Sequence, residues 1–291
     1  MLYNLKHSFL LVFILFQCLT LSAQKPVYQL FDKDGKAIQY EDMIAMMKNS
    51  QAIFFGEFHD QPISHWLQKE VLFDLHKLHG DKLVIGAEMF ESDNQLIIDE
   101  YLANNITQKK FEEEARLWKN YKNDYKAILE FAKENGLPLV ASNVPGRYAN
   151  MVFNKGIASL DSLSDQAKSY FAPLPIHMDL NVNCYAEMLK MNIEHGTNSE
   201  YFPQAQILRD ATMSHFMAPW LQRNNVIYHL NGSYHSDSHE GIVYYMKRSN
   251  PRTKIFVIST VTQDNIGTLD DENQGKGDVI LCVSSNMTKS Y

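Results

Sequence analysis

The sequence predicts an α/β fold with a mainly parallel central sheet flanked by helices, together with a helical insertion. Short apolar runs separated by longer helical patterns predict the sheet, because buried parallel strands are apolar without interruption and are joined by helical crossovers. The stretch from about residue 150 to residue 223 shows helical patterns and no strong strand, so we interpret it as the insertion. The apolar runs cover residues 52–56, 83–88, 139–143, 226–231, 255–259 and 279–283.

The composition is that of a globular protein with a substantial core. The chain has 291 residues, of which 45% are apolar and 21% are charged. Its formal net charge is -7 at pH 7 and it contains no run of lysine or arginine, so we expect no nucleic-acid partner. We predict a single α/β domain over residues 24–291.

The N-terminus has the pattern of a secretory signal peptide. Lys6 and His7 precede an apolar run from Phe9 to Leu21, and small and polar residues follow it. The run is well short of the roughly 20 residues that a spanning helix needs. We therefore predict a signal peptide over residues 1–23 and an exported mature protein. A lipid anchor on Cys18 is the alternative, but no small residue precedes this cysteine as such processing prefers.

Turn and capping signals predict the first elements after the signal peptide. Residues 27–31 form a strand that turns at Asp34-Gly35 into a hairpin at the edge of the sheet. A short amphipathic helix follows over residues 41–48. Pro62 begins the next helix, which ends at Gly80. Its apolar stripe is formed by Leu67, Val71, Leu75 and Leu78.

Helices are also predicted for most of residues 90–135 and for two segments of the insertion. The first segment runs from Asp179 to His195, and the second runs from Pro203 toward Trp220. The insertion is rich in methionine and aromatic residues, which is typical of either a core or an adaptable lid over a site. Core is the favoured interpretation for most of these residues.

Two cysteines remain in the mature chain, Cys184 and Cys282. In an oxidising compartment they form either one disulfide or two buried thiols. Neither cysteine has the spacing of a structural zinc site.

Polar side chains follow the apolar runs at the points where the strands are expected to leave the sheet. The pattern Gly-x-x-His occurs after two of these runs, at residues 56–59 and 232–235. Ligands of α/β proteins bind at the carboxyl ends of the strands, so we expect these side chains to border one cleft. They belong to Glu57, His59, Glu88, Asn143 and His235, with His65 in the first turn of the following helix.

Two kinds of chemistry use this combination of side chains. Imidazole and carboxylate groups bind divalent first-row metals, and the same groups act as base and acid in hydrolysis without a metal. The alternative is a purely structural role, in which loop groups compensate the charge of each acid and core groups form hydrogen bonds with each histidine. Two observations favour a functional site. The Gly-x-x-His pattern occurs twice, and an acid that follows a buried apolar run needs a partner. Ion pairs or packing are the favoured interpretation of Arg147, Arg209, Tyr148 and Tyr234, narrowly so for Arg147.

Four segments of the sequence resemble the ChaN-like haem-binding family. They appear in that family's order and span nearly the whole mature chain. The wider superfamily also includes erythromycin esterases and the Tiki proteases, which share the Gly-x-x-His patterns and the acids. The segments are Ile53 to Asp60 with His65, Gly86 to Phe90, Gln206 to Met213, and Asn231 to His235.

The resemblance implies an exported, often lipid-anchored protein of Gram-negative bacteria that is linked to iron acquisition. Such a protein is located in the periplasm or at the outer membrane and holds haem, paired face to face across a homodimer, with tyrosine ligation. Outer-membrane haem uptake machinery is the expected partner. The lipid-anchor signal is poor in this chain, and no tyrosine matches a motif of the family. We expect the haem to be bound by His65, Asn143, Arg147 and Tyr148, with Tyr148 chosen for its place beside the cleft.

The esterase and Tiki resemblance implies a second function, hydrolysis by Glu57, His59, Glu88 and His235. In the Tiki branch these residues would hold manganese, cobalt or zinc, and in the esterase branch they would act without a metal. Likeness of fold alone does not decide between these chemistries. A third alternative is a binding protein in which these residues have only a structural role.

Overall fold

The computed structural model describes residues 26–194 and 201–291, except for the side chains of residues 191–194. The predicted signal peptide, Cys18 and the predicted helix end at His195 lie outside the described residues. Within the described part of the chain, no helix is both long enough and apolar enough to span a bilayer.

One eight-stranded sheet forms the centre of the molecule, in the order β2-β1-β8-β7-β3-β6-β4-β5. The six strands from β8 to β5 are parallel, whereas β1 pairs antiparallel with both β2 and β8. The predicted edge hairpin is therefore confirmed, and the sheet is mixed rather than purely parallel. The strands are β1 (Tyr28–Asp32), β2 (Ala37–Ile38), β3 (Ala52–Glu57), β4 (Leu83–Glu91), β5 (Leu139–Asn143), β6 (Val226–Gly232), β7 (Ile255–Gln263) and β8 (Val279–Ser284).

Helices cover both faces of the sheet. Alternate residues of β3 face opposite ways, so Ile53 and Phe55 pack with α2, while Phe54 packs with α9 and α10. The α-helices are α1 (Tyr40–Met47), α2 (Pro62–His79), α3 (Gln95–Leu102), α4 (Gln108–Glu114), α5 (Lys126–Glu134), α6 (Gly146–Lys155), α7 (Asp165–Lys168), α8 (Asn183–Glu194), α9 (Phe202–Gln222) and α10 (Ile242–Ser249).

The helix α2 begins directly below the carboxyl end of β3. Pro62 occupies its first turn, and the side chain of Gln61 caps it by accepting a hydrogen bond from the Ile63 amide at 3.2 Å. Tyr228 of β6 anchors the helix to the sheet because its hydroxyl donates to the Gln68 carbonyl oxygen at 3.0 Å. This anchoring turns the first half of α2, including His65, toward the end of β3.

The region between residues 150 and 223 contains helices and no strand among its described residues. Several of its large apolar side chains are buried, among them Phe171, Met188, Met213 and Met217. Core is therefore the correct interpretation for these residues. The segment from Asp179 to Val182 precedes α8 rather than forming its first turn. Cys184 and Cys282 are free thiols, so the disulfide is not formed.

Candidate functional site

The carboxyl ends of β3, β6, β7 and β8 border a cleft of about 720 Å³. This is the edge of a parallel sheet at which α/β proteins bind ligands. Among the residues that the structure describes, none between 150 and 223 lines this cleft, so the helical insertion does not form its wall. The lining residues come from three stretches of the chain, 57–61, 232–237 and 285–291, together with Thr262.

The two Gly-x-x-His segments pack directly against each other at the floor of the cleft. A Cβ atom on Gly56 would lie 2.8 Å from the Ser233 Cα atom, which is closer than van der Waals contact allows. A Cβ atom on Gly232 would lie 3.0 Å from both Cε1 and Nε2 of His59. The glycine of each segment therefore makes room for the other segment. The repetition in the sequence reflects this close approach of two neighbouring parallel strands.

The carboxylate of Glu57 is the most densely hydrogen-bonded group of the site. It is buried, and its Oε1 atom accepts hydrogen bonds from His59 Nδ1 at 2.9 Å and from the Tyr125 hydroxyl at 2.6 Å. Its Oε2 atom accepts a hydrogen bond from Gln68 Nε2 at 2.7 Å and lies 3.3 Å from His65 Nδ1. Burial would raise the pKa of Glu57, but His59 and His65 outweigh this effect and hold the pKa below its usual value.

His59 presents its Nδ1 atom to Glu57 and turns its Nε2 atom toward the cleft. Its ring packs edge-on against Trp118, with ring centroids 4.8 Å apart. Burial would lower the pKa of His59, yet the hydrogen bond to Glu57 and the nearby charge of Glu88 raise it. Among the described residues, no group bonds to its Nε2 atom, which lies beside the Gly232 backbone in the cleft. The hydrogen bond to Glu57 therefore fixes the tautomer of His59 and leaves Nε2 available. This geometry suits either metal ligation or proton transfer.

A π-helical turn, Tyr121–Tyr125, supports this arrangement from the side opposite the sheet. It directs Tyr125 to Glu57 and places Asp124 3.5 Å from His65 Nε2. Asn120, just before the turn, donates from Nδ2 to the His59 carbonyl oxygen at 3.1 Å and to Asp124 Oδ2 at 2.8 Å. Such turns are frequent at functional sites. No sequence pattern indicates this turn, because it lies in a region whose residues predict only a helix with a charged face.

The second histidine of the pattern, His235, is held between two acids. Its Nε2 atom lies 3.2 Å from Glu88 Oε1, and its Nδ1 atom bonds to Asp210 on α9. Burial would lower the pKa of His235, but the charges of Glu88 and Asp210 outweigh this effect and raise the pKa to about 10. Glu88 also accepts a hydrogen bond from the Gly232 amide at 2.7 Å. Despite its burial, its pKa is held far below the usual value, chiefly by the charge of His235. His235 is therefore a buried cation rather than a free base.

Asp210 and Asp237 belong to the site although neither is among the predicted site residues. Asp210 lies in one of the segments that resemble the haem-binding family, and its Oδ2 atom accepts a hydrogen bond from the Tyr185 hydroxyl at 2.7 Å. Asp237 lines the cleft and accepts a hydrogen bond from the Ser259 hydroxyl at 2.6 Å. Burial raises the pKa of Asp237 to about 7. Only its position two residues after His235 could have indicated it.

The four residues expected to bind haem occupy three different places. His65 lies behind His59, where its Nε2 atom is 3.1 Å from the His59 carbonyl oxygen. Asn143 donates to the Glu88 carbonyl oxygen at 3.1 Å and accepts from Arg209 at 3.2 Å. Arg147 and Tyr148 lie on α6, outside the residues that line the cleft. Arg147 is paired with Asp93, and Tyr148 packs against Phe171 with ring centroids 5.5 Å apart.

The four residues expected to bind a divalent metal do not converge on one point. They divide into the pair Glu57–His59 and the group formed by Glu88 and His235 with Asp210. Both nitrogens of His235 already face carboxylates. In the described ranges, no group of three or more histidine, cysteine, aspartate or glutamate side chains has an arrangement that could hold a metal ion. This donor set does not fit a common site for manganese, cobalt or zinc.

The buried cation at His235 predicts a specific pH dependence. The folded pKa of about 10 exceeds the ordinary value of 6.5, so the ion network stabilises the fold fully below that ordinary value, and this contribution is lost as the pH rises to about 10. NMR of the protein with isotopically labelled histidine should show the His235 imidazole titrating near pH 10. Titration near the ordinary histidine value would contradict this assignment.

Comparison with protein-family models gives a match that covers residues 43–246 of the chain. The family is described as haem-binding uptake, Tiki superfamily, ChaN. The match contains both Gly-x-x-His segments, Glu88 and Asp210. No curated protein matches the chain.

Two solved structures share the fold. ChaN of Campylobacter jejuni, described for its cofacial haem binding, is 18% identical, with a TM-score of 0.64 over 89% of this chain and 98% of that one. A variant of the erythromycin esterase EreC in its open conformation is 11% identical, with a TM-score of 0.52 over 89% of this chain and 97% of that one. At these sequence identities, the two solved structures show a shared fold and nothing more. The family match, in contrast, is a match of sequence and covers most of the chain. The chain therefore belongs to the ChaN family of haem-binding uptake proteins in the Tiki superfamily.

Proposed function

We propose that this protein is an exported haem-binding protein for haem or iron uptake, and that it holds haem in the cleft at the carboxyl ends of the strands. Family membership supports haem as the ligand. The observation that carries the choice of site is His59, whose Nδ1 atom is held by Glu57 while Nε2 is free beside the cleft. Export rests on the predicted signal peptide. The homodimer and the outer-membrane partner remain predictions from the resemblance.

The volume and the aromatic lining of the cleft fit a planar apolar ligand. Its volume lies within the range of about 300–1,000 Å³ that is typical of small-molecule sites. Three aromatic side chains, Phe58, Tyr234 and Tyr291, line it and are each more than a third exposed. Exposed aromatic groups around a concave site provide the apolar surface that a porphyrin ring would cover.

Among the groups that line the cleft, His59 is the best axial ligand. The Tyr234 hydroxyl donates to the Cys184 carbonyl oxygen at 3.2 Å, and burial raises the pKa of Tyr234 to about 12. Burial and the nearby acids also raise the pKa of Tyr291. Both shifts oppose formation of the tyrosinate that binds iron. Ligation by His59 would be a departure from the tyrosine ligation that the resemblance implies.

The chain's own residues would prepare His59 for this role. Glu57 accepts a hydrogen bond from the Nδ1–H group and so fixes the tautomer in which Nε2 carries the lone pair. Trp118 and the Gly232 backbone restrict rotation of the ring. Tyr125 and Gln68 in turn hold Glu57 in place. Haem, when bound, would supply the iron centre.

Substitution of His59 tests this proposal. Haemin added to the wild-type protein should give a saturable Soret shift of the imidazole-ligated type. In His59→Asn this spectrum should be lost, and affinity should fall by at least the roughly 10- to 100-fold that loss of a hydrogen-bonding partner behind a metal ligand costs. Absorbance titration of purified mature protein provides the measurement.

His239→Asn is the matched control for this experiment. The His239 side chain is 37% exposed, compared with 35% for His59, and its ring also faces a carboxylate, that of Asp278 at 3.0 Å. His239 has a positive φ of 60°, which asparagine tolerates. An unchanged spectrum in His59→Asn, or the same loss in both variants, would contradict the proposal.

Hydrolysis without a metal is the second candidate function. The observation that favours it is the presence of Asp237, with a pKa of about 7, in the same cleft as the His59–Glu57 pair. His59 could act as general base on a water molecule, with Asp237 as the acid. Glu88 and His235, which the sequence predicts as catalytic residues, would instead support Gly232 and the cleft floor in this reaction.

Ester hydrolysis by the wild-type protein tests this second function. A panel of chromogenic esters should be cleaved in the presence of a metal chelator, and His59→Asn should lower kcat by about 100-fold or more. Absence of turnover on every ester, or a rate that His59→Asn leaves unchanged, would remove this function from consideration.

A further inference from the structure

The segment after β8 forms one wall of the cleft. Met287, Lys289 and Tyr291 line it, and the backbone of this segment is fixed at Ser290. The Ser290 amide donates to the Asp60 carbonyl oxygen at 2.8 Å, and its hydroxyl donates to Asp124 Oδ1 at 3.3 Å. The ammonium group of Lys119 lies 3.9 Å from the centre of the Tyr291 ring. The segment is thus tied both to the loop that carries His59 and to the π-helical turn.

Charges of both signs line the cleft. Glu57, Asp60 and Asp237 are acids, and they disfavour entry of an anionic ligand. His235 is a cation, but it is buried and both of its ring nitrogens already face carboxylates. Among the described residues that line the cleft, Lys289 is the only lysine or arginine. Any ligand that carries carboxylates therefore has one fixed positive partner available in this wall.

The ammonium group of Lys289 forms an exposed ion pair whose carboxylate partner can be replaced. Its Nζ atom lies 2.6 Å from Asp60 Oδ2, and its side chain is 64% exposed. Ion pairs exposed to this degree contribute little to stability, because solvent screens them and two long side chains must be ordered. A ligand carboxylate can replace Asp60 as the partner of Lys289, while the hydrogen bonds of Ser290 keep the wall in place.

We propose that Lys289 is the specificity-determining residue that recognises the carboxylate groups of the ligand. The ligand class is a planar apolar macrocycle with carboxylate side chains, which for an iron porphyrin are the propionates. This inference rests on the proposed haem-binding function. It identifies the carboxylates as the part of the ligand that the segment after β8 recognises. The ring faces the aromatic side chains of the cleft, and a carboxylate at its edge pairs with Lys289.

A comparison of haemin with its dimethyl ester isolates this contact. Both compounds offer the same iron and ring, so the contribution of His59 cancels in the ratio of their dissociation constants. The wild-type protein should prefer haemin by about fivefold to tenfold, which is the scale of one charge-assisted contact. In Lys289→Met the ratio should fall to about one, whereas Lys289→Arg should retain the preference, since arginine also pairs with carboxylates.

Lys77→Met is the matched control. Lys77 also forms an exposed pair with an aspartate, Asp74, at 2.7 Å, but it lies on α2 away from the cleft. The exposures of the two lysines, 74% and 64%, are comparable. This variant should show the wild-type ratio, and thermal unfolding should confirm that all three variants are folded.

The outcomes separate this inference from the function on which it rests. If haemin gives the imidazole-type spectrum but Lys289→Met keeps the preference for haemin over the ester, Lys289 does not recognise the carboxylates and the inference is wrong. A Lys77→Met variant that also loses the preference would show a nonspecific charge effect and overturn it too. If neither porphyrin binds to the wild-type protein, the haem-binding proposal fails, and the inference fails with it.

Discussion

The buried carboxylate of Glu57 is the interaction on which the site depends. It stands at the end of β3 with almost no exposure to solvent, and an ion in such a position is stable only when hydrogen bonds replace its lost hydration. Three hydrogen bonds meet this requirement, and the imidazole of His65 adds a nearby charge at 3.3 Å. The donors come from the following loop, from α2 and from the π-helical turn: His59, Gln68 and Tyr125. Satisfaction of one buried charge thereby fixes the position of every group on this side of the cleft.

Parallel pairing of β3 with β6 brings the second half of the site to the first. Glu57 and Gly232 are register partners at the end of this pair of strands. Gly232 lies so close to the His59 ring that a Cβ atom would be 3.0 Å from it, and its amide donates a hydrogen bond to Glu88. The Glu57–His59 pair faces the cleft and is available for chemistry, while His235 and its two acids form a charged floor beneath it. The two groups look equivalent in sequence but have different physical roles.

The sequence predicts the sheet well because each buried strand is a continuous apolar run of sufficient length. It also predicts the main groups at the strand ends, since a polar residue directly after such a run stands where the buried chain first reaches the edge of the sheet. The remaining residues depend on tertiary packing. Asp210 lies in the middle of a helix, Tyr125 is one of 15 tyrosines, and Lys289 follows the last strand with no motif around it. Arg147 and Tyr148 do not line the cleft, and their role in binding haem stays a prediction. They follow β5 and lie on α6, and β5 is the edge strand farthest from β8 among the parallel strands.

The most direct test of the proposed site is the position of iron in crystals of the haem-loaded protein. An anomalous difference map at the iron absorption edge locates the metal independently of any assumption about its ligands. Ligation by His59 predicts one iron peak in each cleft, bonded to the Nε2 atom of His59, with the porphyrin edge toward Lys289. An iron peak bonded to a tyrosine, or one located near Tyr148 and the helical insertion, would contradict it.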